Sequence, residues 1–169
     1  MTKVRICIHS LIPAILAFIS LASAGPNASA HVYLDNDFRT AVIEPYGKDV
    51  SIGDTCFIAV YIDGAVSLNS YSVKVQFDTS IVQFCDAAAQ KSFSEKPFLE
   101  SSGGQMIVVL NRKGNIAELA ATLKGIGLSV SGNGCLGYFT FKCIKNGNPA
   151  ISIKEAKLVD EKSAIDKIQ

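Results

Sequence analysis

The chain has 169 residues, with 16 Lys and Arg against 15 Asp and Glu, 49% hydrophobic residues, 13 Gly and no Trp. That length suits one domain. The formal net charge of +1 offers no electrostatic footing for nucleic acid or an anionic membrane surface.

The first element is a leader. Met1-Thr2-Lys3-Val4-Arg5 carries two positive charges, ICIHSLIPAILAFISL follows without a charge, and Ala22-Ser23-Ala24 and Ala28-Ser29-Ala30 supply small residues at A-x-A spacing. A basic start, an apolar middle and such a site describe a helical secretory signal peptide over residues 1–24, with an alternative cut after Ala30. The apolar run is short for the ~20 residues that a bilayer needs. No basic stop signal follows it, so no stable membrane span is expected after cleavage. The expected location is secreted, periplasmic or cell-surface. Loss of Lys3 and Arg5 lowers the net charge by two, which leaves a near-neutral domain over residues 31–169.

Past the leader, period-two alternation dominates, the mark of half-buried strands. In DTCFIAVYID one face takes Cys56, Ile58, Val60 and Ile62, and the other takes Thr55, Phe57, Ala59 and Tyr61. In YSVKVQF, Tyr71, Val73, Val75 and Phe77 face one way and Ser72, Lys74 and Gln76 the other. QMIVVLN is a continuous apolar run, which predicts a strand buried on both faces. CLGYFTFKC predicts Cys135, Phe139, Phe141 and Cys143 inward, with Leu136, Tyr138, Thr140 and Lys142 outward. AISIKEAKLV closes the series. NIAELAATLKG fits either a short helix, with Ile116, Leu119, Ala120 and Leu123 on one side, or a strand. The clusters PYGKD, SIGD, SSGG, NRKGN, SGNG and NGNP read as turns. Strands at this spacing argue for an all-β sandwich or barrel.

Chemistry-bearing residues are sparse. His31 is the one histidine past the leader and lies at the expected mature terminus, a poor place for a general base held in hydrogen-bond reach. Gly132-Asn133-Gly134-Cys135-Leu136-Gly137 spells G-x-G-x-x-G but opens a strand, whereas a dinucleotide fingerprint must open a helix. It therefore reads as a tight turn into a strand. Asp35-Asn36-Asp37 starts like a calcium loop, yet Thr40 and Tyr46 stand where an EF-hand needs Gly and Glu, which leaves only a weak calcium site. Asn27-Ala28-Ser29 is a sequon. No catalytic constellation or cofactor is expected, so the chain is not expected to be an enzyme. Cys56, Cys85, Cys135 and Cys143 are an even set in an exported chain. They are candidates for disulfides with all three pairings open, or for buried thiols.

The strand that ends in Phe77-Asp78-Thr79-Ser80-Ile81-Val82 resembles the cohesin domain, whose pattern there is Y-D-P-S-x-L. Asp78 would accept backbone N–H groups of the next turn as an Asx-turn. Val50-Ser51-Ile52-Gly53-Asp54-Thr55 before FIAVYID is similar to the family's G-D strand start, with Gly53 and Asp54 in the turn. SVSGNGCLGYFTFK is similar to its V-S-G-S-G segment, with Gly132 and Gly134 in the turn. NPAISIKEAKLVDEKSAI is similar to its closing strand pair. The resemblance spans roughly residues 40–168. It implies a nine-stranded antiparallel jelly-roll β-sandwich, and a non-catalytic module that docks a dockerin-like protein partner in extracellular assembly, with a link to polysaccharide degradation. The strand over residues 70–77 would supply part of the docking face. Ser70 and Ser72 stand where the best-known class carries Asn and Asp. Ser70, Ser72, Lys74 and Gln76, joined by Leu136, Tyr138, Thr140 and Lys142 on a neighbouring outward strand, form the expected partner face. Two other readings remain open: a carbohydrate-binding module, with Tyr33, Tyr46, Tyr61 and Tyr138 standing in for Trp against polysaccharide, and a self-associating surface or adhesion protein.

Overall fold

The computed structural model describes residues 25–35, 49–89, 97–162 and the backbone of 165–168. The leader, Asn36 and Asp37 of the calcium-like stretch, and Tyr46 lie outside these residues.

Among these described residues eight strands follow in chain order: β1 (His31–Asp35), β2 (Thr55–Gln76), β3 (Val82–Ala88), β4 (Gln105–Lys113), β5 (Ile116–Lys124), β6 (Val130–Cys143), β7 (Ser152–Asp160) and β8 (Ile165–Ile168). A 3-10 turn over Leu99–Ser102 precedes β4. Every strand pairing is antiparallel.

The 22-residue β2 organises the rest, and it joins two segments that alternation alone would separate. Its first half pairs with β1 and with β6, from Thr55↔Lys142 onward. Its second half, from Ser70 to Gln76, pairs with β5 on one side and β7 on the other. Between them the register slips twice against β6, and Gly64 and Ser67 take positive φ values of 72° and 49°. Slips of this kind bend a strand, and here they let β2 pass from one layer to the other. The layers are β3-β6-β2-β1 and β4-β5-β2-β7, with β8 on the outer edge of β7.

The inward faces meet in one continuous core. Ile58, Val60 and Ile62 come from the first half of β2, Tyr71, Val73 and Val75 from the second, and Leu119, Phe139, Phe141 and Leu158 from other strands. Contact across the layers is direct: the Phe77 and Phe141 rings lie 5.0 Å apart, although β6 pairs with β2 only as far as Leu68.

The segment that fits both helix and strand is a strand, β5. Ala117, Leu119, Ala121 and Leu123 are buried, while Ile116, Glu118, Ala120 and Thr122 are half-exposed on the other side. Ala, Leu and Glu favour helix intrinsically, but that preference is weak. Hydrogen-bonded neighbours on both flanks, β2 and β4, override it here.

Four expectations need correction. QMIVVLN is not buried on both faces: β4 is the edge strand, and Ile107, Val108, Val109 and Leu110 are between 41% and 57% exposed. A run of apolar residues marks a strand without saying what covers it. Second, Leu136 is buried in the core rather than outward, while Tyr138 stays on the outer side beside Phe57 but is buried there. A register shift puts Val60 opposite Gly137 and Tyr61 opposite Cys135, so Leu136 is the extra residue of a bulge. The bulge reverses the alternation, and Leu136 joins the core in place of Cys135. Third, Gly132 to Gly137 lie inside β6 rather than in a turn leading to it. Gly134 is needed there because a Cβ would run into the Phe98 ring. Fourth, His31 is not at a loose end: it starts β1 and stacks on Tyr33, with centroids 5.4 Å apart.

Candidate partner-binding face

The outward side of the β4-β5-β2-β7 layer follows from register. Ser70 lies opposite Thr122 and Val159, Ser72 opposite Ala120 and Lys157, and Lys74 opposite Glu118 and Glu155. Gln76 lies opposite Ile116. Ile107, Val109 and Asn111 of β4 extend the same rows past Thr122, Ala120 and Glu118.

The polar residues on this face bond one another. The Ser70 hydroxyl lies 2.6 Å from that of Thr122 and donates to Asn69 Oδ1 at 2.8 Å. Ser72 Oγ donates to Glu118 Oε1 at 2.5 Å. Lys74 Nζ donates to Glu155 Oε2 at 2.8 Å, and Lys157 Nζ sits 3.2 Å from the other oxygen of the same carboxylate. The bond from Lys74, then that from Lys157, holds the Glu155 carboxyl below its ordinary range. The bond to Glu155 in turn pushes the Lys74 ammonium up. Cross-strand polar pairs of this kind each add about 0.2–1 kcal/mol to the sheet.

Beside the polar rows lies an apolar strip. Ile107, Val109, Ala120 and Thr122 line a shallow depression of about 190 Å³ with Ser70 and the backbone of Tyr71. A second depression, of about 250 Å³, is bounded by Lys74, Asn111, Lys113, Ile116 and Glu118. β4 pairs with β5 only, so its other edge has no strand partner among the described residues. A small apolar centre with a polar rim and an open strand edge is suited to docking another protein.

The eight residues expected to share a face divide between the two layers. Ser70, Ser72, Lys74 and Gln76 stand together on the face just described. Thr140 and Lys142 are on β6 in the other layer, opposite Phe57 and Thr55, with Tyr138 edge-on to Phe57. The grouping failed because β6 neighbours the first half of β2, not the second. The rest of the face, Ile107, Val109, Glu118, Ala120 and Glu155, escaped sequence reasoning. The even-numbered positions of β5 carried a usable signal, but only once the segment is taken as a strand.

The turn residues are held as follows. Asp78 Oδ1 accepts the Ser80 N–H at 2.8 Å, and the Asp78 carbonyl accepts N–H groups from Ile81 and Val82. The side-chain and backbone bonds from Ser80 keep the Asp78 carboxyl below its ordinary value. Asp54 Oδ2 accepts the Ser51 N–H, and Gly53 has φ 95°. Gly132 has φ 107°. Among the described residues no cluster of three or more His, Cys, Asp or Glu is placed to hold a metal.

No family profile matches the sequence, and no curated protein matches it. Solved structures do match. The second type II cohesin module of the adaptor ScaA scaffoldin of Acetivibrio cellulolyticus superposes with a TM-score of 0.56 at 13% identity, over 80% of this chain and 82% of that one. A type II cohesin–X-dockerin complex from the same organism gives 0.54 at 14% identity, over 80% and 90%. A type II cohesin domain from its cellulosome gives 0.51 at 12% identity, over 74% and 89%. The two-layer topology and these likenesses agree: the chain has the cohesin fold.

Proposed function

We propose that the chain is an exported, non-catalytic binding module of cohesin type that docks a dockerin-like protein partner through the β4-β5-β2-β7 face. The observation that carries this reading is the outward face, polar rows beside an apolar strip, on a fold shared with a cohesin found in complex with a dockerin. Ser72 and Glu118 would offer hydrogen bonds, Lys74 and Glu155 charge, and Ile107 and Val109 a dry centre. The module would work outside the cytoplasm, in an assembly linked to polysaccharide breakdown.

Surface plasmon resonance against a panel of calcium-loaded type II dockerins tests this. Binding by at least one, weakened at least tenfold by Val109→Lys, supports the reading. Absence of binding across the panel, or binding that ignores substitutions at Val109 and Lys74, removes it.

A second reading, polysaccharide binding, is favoured by one observation. His31, Tyr33 and Tyr61 form a ladder on the outward side of the other layer, with centroids 5.4 and 5.7 Å apart. The rings stack on one another, which leaves less of the Tyr33 ring for a sugar. Affinity electrophoresis on cellulose, xylan and chitin separates the readings, since retardation abolished by Tyr61→Ala belongs only to this one. Self-association through the open β4 edge would show as concentration-dependent elution in size exclusion.

A further inference from the structure

Cys56 and Cys143 meet where the start of β2 runs beside the end of β6. Thr55 pairs with Lys142 and Cys56 with Phe141, so Cys143 sits one diagonal step away. The backbone closes this corner from both sides: Cys143 N–H donates to the Asp54 carbonyl at 2.8 Å, and Gly53 N–H donates to the Cys143 carbonyl at 2.9 Å. The two sulfurs lie 3.0 Å apart. That is nearer than unbonded thiols ordinarily rest and within about 1 Å of a covalent S–S distance. Of the other two cysteines, Cys85 is exposed with its sulfur 3.6 Å from the Gln83 carbonyl, and Cys135 is buried with its sulfur 3.5 Å from the Gly137 carbonyl.

We propose that Cys56 and Cys143 are a built disulfide site, joined when the chain meets a low-molecular-weight disulfide oxidant, and that Cys85 and Cys135 stay as thiols. The pairing that sequence left open three ways is decided by the β2–β6 register.

The two thiols differ in how they enter the reaction. Cys56 is half-exposed and Cys143 is buried. Burial, and then the bond with Cys56, pushes the Cys143 thiol up to about 12. The Cys56 thiolate therefore attacks the oxidant first, since reaction follows the thiolate and its access. One S–S bond of the oxidant breaks, one thiol leaves, and a mixed disulfide stands on Cys56. Cys143 then loses its proton as it attacks the Cys56 sulfur, expelling the second thiol. Two protein thiols are oxidised and one oxidant disulfide is reduced to two thiols, so electrons and protons balance.

The crosslink would tie β2 to β6 across 87 residues of chain. A closure of that length stabilises chiefly by restricting the unfolded chain.

The test takes the purified chain through a glutathione buffer, oxidised form in excess, followed by acid quench, alkylation and tryptic mapping without reduction. Cleavage after Lys48, Lys74, Lys142 and Lys145 puts Cys56 in residues 49–74 and Cys143 in 143–145, apart from both Cys85 and Cys135. The expected product is 49–74 joined to 143–145, with Cys85 and Cys135 alkylated. Reduction of the intact oxidised protein should lower its Tm by roughly 10 °C. The same reduction should leave the Tm of Cys56→Ser and Cys143→Ser unchanged, while Cys85→Ser behaves as the parent. A bridge to Cys85 or Cys135, or alkylation of both Cys56 and Cys143 after oxidation, overturns the proposal.

Discussion

The Tyr71 hydroxyl, projecting inward from β2, donates a hydrogen bond to the Leu136 carbonyl on the bulge of β6. Both residues are buried, and the bond joins the two layers at the Leu136 bulge of β6. Burial raises the Tyr71 phenol well above its ordinary value, with Cys135 adding to the effect, so it stays a donor at any pH the fold survives. Tyr71→Phe leaves the Leu136 carbonyl without this donor and should cost about 1–2 kcal/mol. A urea titration reads this as a lower midpoint with an unchanged slope.

Gly137 sits in the same bulge. A Cβ there would meet the Ala88 carbonyl and come within 2.6 Å of Leu119 Cδ2. Gly137→Ala must push β3 or β5 outward and should cost about 3 kcal/mol or more. Val109→Lys on the exposed face of β4 should change stability by no more than about 0.5 kcal/mol. Leu136→Asp would bury a charge and should prevent folding. Circular dichroism melts of the three distinguish core from surface.

Acid sensitivity follows from two depressed carboxyls. Asp78, bonded by Ser80, and Glu155, bonded by Lys74 and Lys157, both lie below their ordinary values of 3.8 and 4.5. Their contribution is present above those values and is lost as pH falls through the folded ones. Lys74, raised above 10.5, contributes on the opposite limb: fully below that value, and less as pH rises past it. Differential scanning calorimetry should show Tm declining as the solution is taken below 3.8. Asp78→Asn combined with Glu155→Gln should start from a lower Tm at neutral pH and decline less steeply.

The residues just past the expected leader bear on where it is cut. Asn27 is fully buried, and its Oδ1 accepts the Val66 N–H at 2.8 Å. A cut after Ala24 keeps that bond, while a cut after Ala30 discards it. Sequencing of the exported chain should therefore begin at Gly25. Asn27→Ala should cost about 1–2 kcal/mol, and the burial of Asn27 leaves no room for a glycan on the sequon.

The strands of β2, β6 and β7 were legible because their apolar residues alternate, and alternation reports a half-buried sheet directly. What escaped were the places where a neighbour decides. β5 is small and helix-prone, and only its position between β2 and β4 makes it extended. Leu136 turned inward through a single added residue, which no local pattern announces. β4 looked like the deepest strand and is the most exposed, since hydrophobicity is local and burial depends on the opposite layer. For the same reason Ser70 to Gln76 could be placed on an outer surface from sequence, but their companions from β4, β5 and β7 could not.

The reach of β2 has a consequence for synthesis. Its partners come from both ends of the chain, with β1 ahead of it and β6 and β7 far behind. The layer holding β6 cannot close until residues up to Cys143 exist, and the layer holding Lys74 waits for residues up to Asp160. Pairings this distant in sequence form late and slowly. A ribosome-bound fragment lacking its last third therefore remains an open, threadable polypeptide, the condition a translocating pore requires of its passenger.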